Sequence, residues 1–322
     1  MPVFQYSNPP RIIWGPRSIA ELPGQAADRV AVVTTRSLLD SKLPIEPALK
    51  VAIGQHAPIS QIDEAVERVG AAAVHGIVSH GGGSPIDAAK IVALKLGLPH
   101  VAVPTTLSVA ELAAGAGFTD EHGTKSGMRD PRLLPGVVIY DPELTLDTPA
   151  ELWLSSGIRA LDHAVEGFIA EGEHPFNDVM ALEAIRRLFR VLPATKADPQ
   201  NVGIRGDCQL AAWFSFTLPG PSASGLSHTM GKQIGARHGI PHGVTSCLLL
   251  PHVMRYLATK QPGRVSSLGV TPDEVEGLIH DLGLPQHIAE YGVGEAELRK
   301  AAEELAGKYP ADELLQIYTS AL

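Results

Sequence analysis

Short β-branched segments alternate with helical patterns in the first half of this chain, and the alternation ends near residue 148. The segments that predict strands are RVAVVTT (29–35), HGIVSH (75–80), HVAVPTT (100–106) and GVVIYDP (136–142). Between them, residues 59–73 and 84–97 carry apolar residues at helical spacing. Because strands joined through crossover helices run parallel, this half predicts an α/β domain with a parallel sheet.

The second half of the chain has a helical period in every patterned segment, and no segment there predicts a strand. Thr148 is followed by Pro149, and Thr271 by Pro272, so each pair offers a capping hydroxyl before a proline at the first helical position. We therefore expect an α/β domain at 1–148 and an all-α domain at 149–322. The cleft between two such domains is the usual place for a ligand.

Charge and composition restrict the partners of this chain. Its 322 residues contain 26 Lys and Arg against 35 Asp and Glu, a formal net charge of −9, without a basic stripe. Nucleic acid and membrane surfaces are therefore not expected partners. The apolar runs are too short to span a bilayer, the two cysteines form no CxxC pair, and the first residues do not resemble a signal peptide. We predict a cytoplasmic protein that acts on a small molecule.

A run of three glycines lies between a predicted strand and a predicted helix in VSHGGGSPIDAAK (78–90). Ser84 is expected to cap the helix, with Pro85 at its first position and Asp87 as the acid of a capping box. Free backbone N–H groups and the helix dipole attract an anion, most often a diphosphate. The pattern is neither the GxGxxG nor the GxxxxGK[ST] motif, so a tight turn without a ligand is the alternative.

Five segments along most of the chain resemble iron-containing alcohol dehydrogenases, in the same order. They are GGGSPIDAAK (81–90), PTT (104–106), RDPRLLPGVVIYDPELT (129–145), ALDHAVEGF (160–168) and SHTMGKQIGARHGIPHG (227–243). Within that superfamily, KSGMRDPRLLP and PTTLSVAE are most similar to maleylacetate reductases. The resemblance implies a dehydroquinate synthase-like fold, with an N-terminal dinucleotide-binding α/β domain, an all-α C-terminal domain, and NAD(P)H-linked carbonyl reduction between them.

The resemblance also implies a set of cofactor-binding residues. They are Thr35, Arg36, Gly81, Gly82, Gly83, Ser84, Asp87, Lys90, Thr105 and Thr106. Residues 81–84 would hold the diphosphate between Asp87 and Lys90, while Thr105 and Thr106 would lie along the ribose and nicotinamide.

The end of the strand predicted at 29–35 bears on the choice between NADH and NADPH. Relatives that favour NAD often have an acid there, which binds the ribose 2′-hydroxyl. This chain has Thr35 and Arg36 instead. Because an arginine can pair with a 2′-phosphate, we predict that NADPH is accepted at least as well as NADH. A solvated surface charge at Arg36 is the alternative.

The metal site of the metal-dependent relatives is only partly matched. His163, His228 and His242 match its three histidines, which could hold divalent iron or zinc with a position open for substrate. Its aspartate is replaced by Arg159, whose guanidinium cannot bind a metal. A further histidine of these relatives is replaced by Lys232. These departures argue against a divalent ion, which stays open as an alternative.

The helix predicted at 156–168 places Arg159, His163 and Glu166 on one face, so Glu166 is expected to pair with Arg159. The candidate catalytic residues are Arg159, His163, His228, Lys232 and His242. In a metal-free site, Arg159 and Lys232 would bind a carboxylate or oxyanion, while His228 and His242 would shape and protonate the site. A weak three-histidine metal site and an inactive remnant are the other two interpretations.

These expectations converge on an NAD(P)H-dependent reductase for the carbonyl or enone of a small, carboxylate-bearing substrate. One alternative is a lyase or cyclase that uses the dinucleotide catalytically, as in dehydroquinate synthase relatives. Another is a protein that only binds the dinucleotide. Relatives often form dimers, and PVFQYSNPPRIIWG (2–15) is a candidate for a strand pair exchanged within a homodimer.

Overall fold

The computed structural model describes residue 6 and residues 8–172, 174–218 and 225–322. In this part of the chain, the strands are β1 (Arg11–Trp14), β2 (Val30–Thr34), β3 (Leu49–Ala52), β4 (Gly76–Gly81), β5 (His100–Pro104), β6 (Gly115–Thr119), β7 (Lys125–Arg129) and β8 (Val137–Tyr140). The helices of the first half are α1 (Leu22–Gln25), α2 (Ile59–Ala71) and α3 (Gly83–Leu96). Those of the second half are α4 (Ala150–Ile169), α5 (Pro175–Ala197), α6 (Val202–Phe214), α7 (Leu226–His238), α8 (His242–Lys260), α9 (Pro262–Ser266), α10 (Pro272–Leu282), α11 (Glu295–Leu305) and α12 (Ala311–Ser320).

Six strands form one sheet in the order β1-β8-β5-β4-β2-β3, and every neighbouring pair is parallel. The predicted parallel sheet is confirmed, and its four predicted strands correspond to β2, β4, β5 and β8. Thr34 lies opposite His80, and Gly81 lies opposite Pro104, so β2, β4 and β5 end together. The carboxyl ends of parallel strands are where α/β sheets bind ligands.

Three features of the first half lie outside the predicted strands. β3 forms the sheet edge beside β2, and β6 and β7 form a separate antiparallel hairpin. β1 falls in the segment proposed for exchange between subunits, but it pairs with β8 of the same chain, with Arg11 opposite Val137. The homodimer itself stays a prediction.

The described residues after Tyr140 contain no strand, which confirms the predicted helical second half. Helix α4 lies at its centre, because every residue from Trp153 to Ile169 is buried. Thr271 caps α10 in a full capping box, as expected. Thr148 does not cap α4; its hydroxyl donates to the Thr105 carbonyl oxygen at 2.8 Å and so links the two halves.

One loop of the first half inserts apolar side chains into the core of the helical half. Leu107, Val109 and Leu112 follow β5, yet they pack in the core of the helical half. The Leu107 N–H donates to the Ser156 hydroxyl at 3.0 Å, and Val109 has a left-handed backbone with φ of 55°. The division at 148/149 stays a prediction. No helix in the described residues combines the length and apolarity that a membrane crossing requires.

Candidate functional site

A cavity of about 1550 Å³ is lined by residues of both halves. On the sheet side it reaches the carboxyl ends of β2, β4 and β5 and the β6–β7 hairpin. On the helical side it reaches α4, α7 and the start of α8. The sequence-predicted residues that line it are Thr35, Arg36, Gly82, Gly83, Ser84, Asp87, Thr105, Thr106, Arg159, His163, His228, Lys232 and His242. The structure thus brings together most of the predicted site.

The glycine run forms a tight loop between β4 and α3, with little space for a side chain at its first two residues. Gly81 has a φ of 143°, and a Cβ there would lie 2.8 Å from the Pro85 Cγ. A Cβ on Gly82 would lie 3.1 Å from the Thr106 Cγ2. No side chain caps the N-terminus of α3, so its first N–H groups are open to an anion. The buried hydroxyls of Thr106 and Ser108 also have no hydrogen-bond partner among the residues that the structure describes. This cradle fits a diphosphate.

Ser84 and Asp87 do not cap α3 in the way that the sequence predicts. The helix begins at Gly83, two residues before the predicted first position at Pro85, so Ser84 is already inside it. Its hydroxyl accepts the His56 N–H at 3.0 Å, and the Asp87 Oδ2 accepts the Gly117 N–H at 3.0 Å. Ser84 therefore fixes the loop at His56, and Asp87 fixes strand β6, against the N-terminal part of α3.

Lys90 was expected beside the diphosphate, and the structure corrects this. Its side chain is fully buried, and its ammonium donates to the carbonyl oxygens of Ala113 at 2.9 Å and Gly115 at 2.7 Å, and to that of Ala110. Burial lowers the pKa of Lys90, against the opposing charge of Asp87. The Lys90 ammonium thus fixes the backbone of residues 110–115, and its side chain does not line the cavity.

The end of β2 lies open to the cavity. The strand finishes at Thr34, and the side chains of Thr35, Arg36 and Ser37 follow at its carboxyl end. Arg36 is exposed, and no acid occurs between residues 34 and 38. A phosphate group would therefore meet no carboxylate within this segment.

Three helices bring the catalytic candidates of the helical half together. Arg159 and His163 lie on α4, His228 and Lys232 lie one turn apart on α7, and α8 begins at His242. The Arg159 Nη2 lies 3.3 Å from the His228 Nε2. The rings of His163 and His228 have centroids 5.4 Å apart. The predicted cluster therefore assembles around a buried guanidinium.

Asp162, and not Glu166, is the carboxylate that pairs with Arg159. The Arg159 Nη1 lies 3.3 Å from the Asp162 Oδ2 and donates to the Ser246 hydroxyl at 3.0 Å. The hydroxyls of Ser246 and Ser227 also donate to that carboxylate oxygen, at 2.6 and 3.0 Å. Burial raises the pKa of Asp162, while Arg159 acts in the opposite direction.

Glu166 instead holds the N-terminus of α7. Its carboxylate accepts the N–H groups of Gly225 at 3.0 Å, Ser227 at 2.5 Å and His228 at 3.3 Å. Burial and the Asp162 charge raise the pKa of Glu166, and these N–H groups oppose the shift. The expected pairing with Arg159 was wrong, because the open end of α7 provides three donors to the same side chain.

The local electrostatics favour a neutral imidazole at His242 and lower the pKa of Lys232. Burial, followed by the charge of Arg159, lowers the pKa of Lys232 to about 8. The same two causes place the pKa of His242 well below its usual range. At neutral pH the site therefore has a neutral His242 beside a Lys232 that gives up its proton readily.

Sequence reasoning missed three residues of this region. Asp162 lies next to His163, about a quarter turn from the face shared by Arg159, His163 and Glu166, and Ser246 lies on α8 within an apolar run. His56 follows β3, and its ring centroid lies 5.4 Å from that of His242. No spacing in the sequence marks these contacts, since they join elements that are distant along the chain.

In the described residues, no three side chains of His, Cys, Asp or Glu are grouped to hold a metal ion. The guanidinium of Arg159 instead lies against the His228 Nε2, one of the ring nitrogens that a metal would need. A positive charge thus lies against one member of the predicted ligand set.

Two family models match the chain in succession. Residues 9–142 match "Iron-containing alcohol dehydrogenase", and residues 153–310 match "Fe-containing alcohol dehydrogenase family, C-terminal". Maleylacetate reductase of Pseudomonas aeruginosa is 32% identical over 319 residues, which cover 94% of this chain and 90% of that protein. Maleylacetate reductase of Sphingobium indicum is 33% identical over the same length and the same shares.

Solved structures agree with these matches. Maleylacetate reductase from Agrobacterium tumefaciens superposes with a TM-score of 0.89 at 29% identity, covering 100% of this chain and 99% of that one. A 1,3-propanediol oxidoreductase superposes with a TM-score of 0.88 at 24% identity, covering 100% of both chains, and shows the shared fold alone.

Proposed function

We propose a substrate class and a proton donor for this chain, which belongs to the iron-containing alcohol dehydrogenase family and is an NAD(P)-dependent oxidoreductase. The substrate would be a small carboxylic acid that carries a reducible carbonyl or enone. The observation that supports this most directly is the buried Arg159, which lines the cavity between the dinucleotide cradle and the histidines.

The cofactor would bind with its diphosphate on residues 81–84 and α3, where the cradle and the open N–H groups fit an anion. Thr105 and Thr106 line the cavity toward the helical half. When bound, NADPH or NADH supplies a hydride from its nicotinamide ring. Arg36 supports the proposal that NADPH is accepted at least as well, because its guanidinium suits a 2′-phosphate.

Arg159 would anchor the substrate carboxylate. A guanidinium has five N–H donors, and the contacts with Asp162, Ser246 and His228 leave donors for a ligand. Asp162 fixes the side chain and balances its charge, so the fork is held in one orientation before substrate binds. An uncharged substrate would gain nothing from this arrangement.

Lys232 would deliver the proton to the oxygen or carbon that becomes basic during reduction. Its pKa of about 8 allows it to be protonated at neutral pH and still be an effective acid. His228 and His242 would shape the site and stabilise the developing negative charge on oxygen. The His228 Nε2 faces Arg159, so its Nδ1 would carry the proton.

The same geometry argues that the reaction needs no divalent ion. Arg159 would repel a cation at the three histidines, and its guanidinium already contacts the His228 Nε2. Lys232 adds a second positive charge to the cavity. The residues present do not fit a resident metal, and no step of the proposal uses one.

The test follows NADPH oxidation with 4-oxopentanoate and with the uncharged ketone 2-pentanone. We expect the wild-type enzyme to prefer the acid, and Arg159→Lys to lower kcat/KM for the acid by about 10²-fold, because a lysine keeps the charge and loses the fork. Arg132→Lys, at an exposed arginine paired with Asp130, is the matched control. Enzyme dialysed against a chelator should keep its activity.

Equal use of the acid by the wild type and Arg159→Lys would remove Arg159 from the substrate site. Loss of activity on chelation, restored by iron or zinc, would refute the metal-free proposal. Binding of NADPH without turnover of any keto acid, aldehyde or ketone would contradict the substrate class.

A further inference from the structure

A buried group of ionisable side chains lies beside the segment 105–115, which runs from the end of β5 to the start of β6. Lys90 of α3 and Glu111 of this segment are each 1% exposed, and neither lines the cavity. The Tyr140 hydroxyl donates to the Glu111 Oε1 at 2.6 Å. Charged groups are seldom buried this deeply, because each loses its hydration. No step of the proposed reaction uses these three side chains.

The charges of Lys90 and Glu111 support each other. Burial lowers the pKa of Lys90, and the negative charges of Asp87 and Glu111 oppose that shift. Burial raises the pKa of Glu111, while the Tyr140 hydrogen bond and the positive charge of Lys90 oppose it. Loss of one of the two charges would leave the other buried without compensation. Lys90 and Glu111 therefore act as a unit.

The Lys90 ammonium is bonded mainly to the backbone of the segment 105–115. It donates to the carbonyl oxygens of Ala113 at 2.9 Å and Gly115 at 2.7 Å, and to that of Ala110. Its contact with the Asp87 Oδ1 is longer, at 3.4 Å. Because an ammonium has three donors, these three carbonyl oxygens satisfy it fully. The segment is thus attached to α3 at three points by one side chain.

The segment attached in this way forms the second side of the glycine cradle. A Cβ on Gly83 would lie 3.4 Å from the Ser108 Oγ and 3.7 Å from the Ala110 Cβ, and one on Gly82 would lie 3.1 Å from the Thr106 Cγ2. The Lys90 ammonium holds the carbonyl of Ala110, two residues after Ser108. A shift of the segment relative to α3 would therefore change the width of the cradle.

We propose that Lys90 and Glu111 are positioning residues for the dinucleotide, which act through the backbone of the segment 105–115 and not by contact with the cofactor. Lys90 sets the distance between this segment and the first turn of α3, and Glu111 balances its charge. The inference rests on the proposed diphosphate cradle at residues 81–84 and does not depend on the substrate class.

The experiment measures dissociation constants by calorimetry for NADPH and for ADP, which carries the diphosphate without a nicotinamide. Lys90→Met keeps an apolar side chain of similar length and removes the three donors. We expect it to weaken the binding of both ligands by about 10-fold, because the hydrogen bonds to the diphosphate lose their geometry. KM for NADPH should rise by the same factor, with kcat at saturating NADPH little changed.

Two further substitutions on α3 separate positioning from stability. Val92→Ala removes methyl groups from a fully buried side chain, so it should lower the melting temperature and leave both dissociation constants unchanged. Lys95→Met breaks an exposed ion pair with Asp63 and should change neither quantity measurably. If Lys90 served stability alone, Lys90→Met and Val92→Ala would alter ligand binding in proportion to their melting temperatures.

A double-mutant cycle tests the role of Glu111. Glu111→Gln keeps an oxygen that accepts the Tyr140 hydroxyl and removes the negative charge, so we expect about 3-fold weaker binding of NADPH and ADP. Lys90→Met combined with Glu111→Gln leaves neither charge of the pair unbalanced. The double variant should therefore weaken binding by less than the product of the two single effects.

Unchanged dissociation constants in folded Lys90→Met would overturn the proposal, as would equal weakening in Val92→Ala. If Lys90→Met does not fold, Glu111→Gln decides, and wild-type affinities in that variant overturn the proposal. A wild type that binds both ligands but reduces no oxo acid refutes the proposed substrate class, and the affinities alone then decide the positioning role. A wild type that binds neither NADPH nor ADP refutes the cradle and this inference together.

Discussion

The two walls of the cavity recognise their ligands by different means. The sheet wall offers backbone N–H groups and hydroxyls around a tight glycine loop, and the side chains of Arg36, Asp87 and Lys125 also line it. The helical wall offers buried ionisable side chains from three helices, with Arg159 at their centre. The glycine loop of the sheet wall depends on the absence of side chains, whereas the helical wall depends on the chemistry of buried ionisable side chains.

This difference decides what each wall tolerates. A cradle of N–H groups is lost as soon as a Cβ enters it, but it carries no charge and changes little with pH. The helical wall depends on the packing of α4, α7 and α8 and on pKa values displaced by burial. Substitutions on the two wall types should therefore separate cofactor binding from catalysis.

The largest effect is expected from Lys232→Met. Removal of the proton donor should lower kcat by about 10²–10³-fold with an unchanged dissociation constant for NADPH. In the wild type, kcat/KM should fall as the pH rises through about 8, because Lys232 then loses its proton. A rate-against-pH profile of wild type, Lys232→Met and the exposed control Lys300→Met checks this. If kcat/KM of Lys232→Met falls over the same pH range, the titrating group is not Lys232.

The same substitution should stabilise the fold. Lys232 has a pKa of about 8 in the folded chain against an ordinary 10.5, so keeping it charged at neutral pH costs free energy. We expect Lys232→Met to raise the free energy of unfolding at pH 7 by about 1–2 kcal/mol, after allowance for the partial exposure of the side chain. Between pH 8 and 10.5, Lys232 is more protonated in the unfolded chain than in the folded chain. The wild type therefore gains stability as the pH rises through that window, and the stability advantage of Lys232→Met shrinks. Denaturant unfolding at pH 7 and pH 10 measures both, and a loss of stability at pH 7 would contradict the assignment.

The next largest effect is expected from Gly243→Ala, and the structural change should be confined to the helical wall. A Cβ at Gly243 would lie 2.7 Å from the Ser155 carbonyl carbon, so α8 must move away from α4 and carry His242 with it. A displacement of about 1 Å typically costs about 10²-fold in kcat/KM, while NADPH should bind as before. Gly263→Ala, where no heavy atom lies within 4 Å of the added Cβ, is the control. Weaker NADPH binding would show that the two walls are not separable.

Gly81→Ala should give the opposite result. Its Cβ would clash with Pro85, and its φ of 143° strains any other residue, so we expect NADPH to bind about 10-fold more weakly and stability to fall by about 1–3 kcal/mol. Gly15 has a φ of 129°, and no heavy atom lies within 4 Å of an added Cβ. Gly15→Ala therefore shows the effect of backbone strain alone, without steric loss of the cradle. Fluorescence titration with NADPH measures the affinity. Equal affinity in Gly81→Ala and wild type would remove the diphosphate from this loop.

Arg36→Ser should have the smallest effect. An exposed arginine contributes modestly, so KM for NADPH should rise by about 3–10-fold, with KM for NADH unchanged. Arg190→Ser, at an exposed arginine outside the cavity lining, is the control. A strict NADH preference in the wild type would remove the 2′-phosphate from the proposal.

The sequence predicts the sheet wall better than the helical wall, for a physical reason. The glycine run, the strand before it and the helix after it are local, so the loop and its place at the strand ends follow from neighbouring residues. The same holds for the four predicted strands, which are short and β-branched. β3 was missed because LKVA is too short to show a period, β6 because GAGFT is rich in small residues, and β7 because KSGMR has no β-branched residue.

The contacts within the helical wall could not be derived in this way. The cluster was expected only because its segments resemble those of a family, and the assignment of Glu166 to Arg159 failed even so. Asp162 is one residue from the expected face, and only the positions of Ser227 and Ser246 on other helices explain why it pairs with Arg159. His56 lies on the opposite wall, where nothing local announces its ring contact with His242.

The insertion of Leu107, Val109 and Leu112 into the helical core has a consequence for cooperativity. A fragment cut after residue 148 would take these three side chains with it and leave voids among α4 and its neighbours, which costs several kcal/mol per large residue. Neither piece would then persist alone, so denaturant should melt both halves in a single transition. The two walls of the cavity therefore belong to one folding unit, although they bind their ligands by different chemistry.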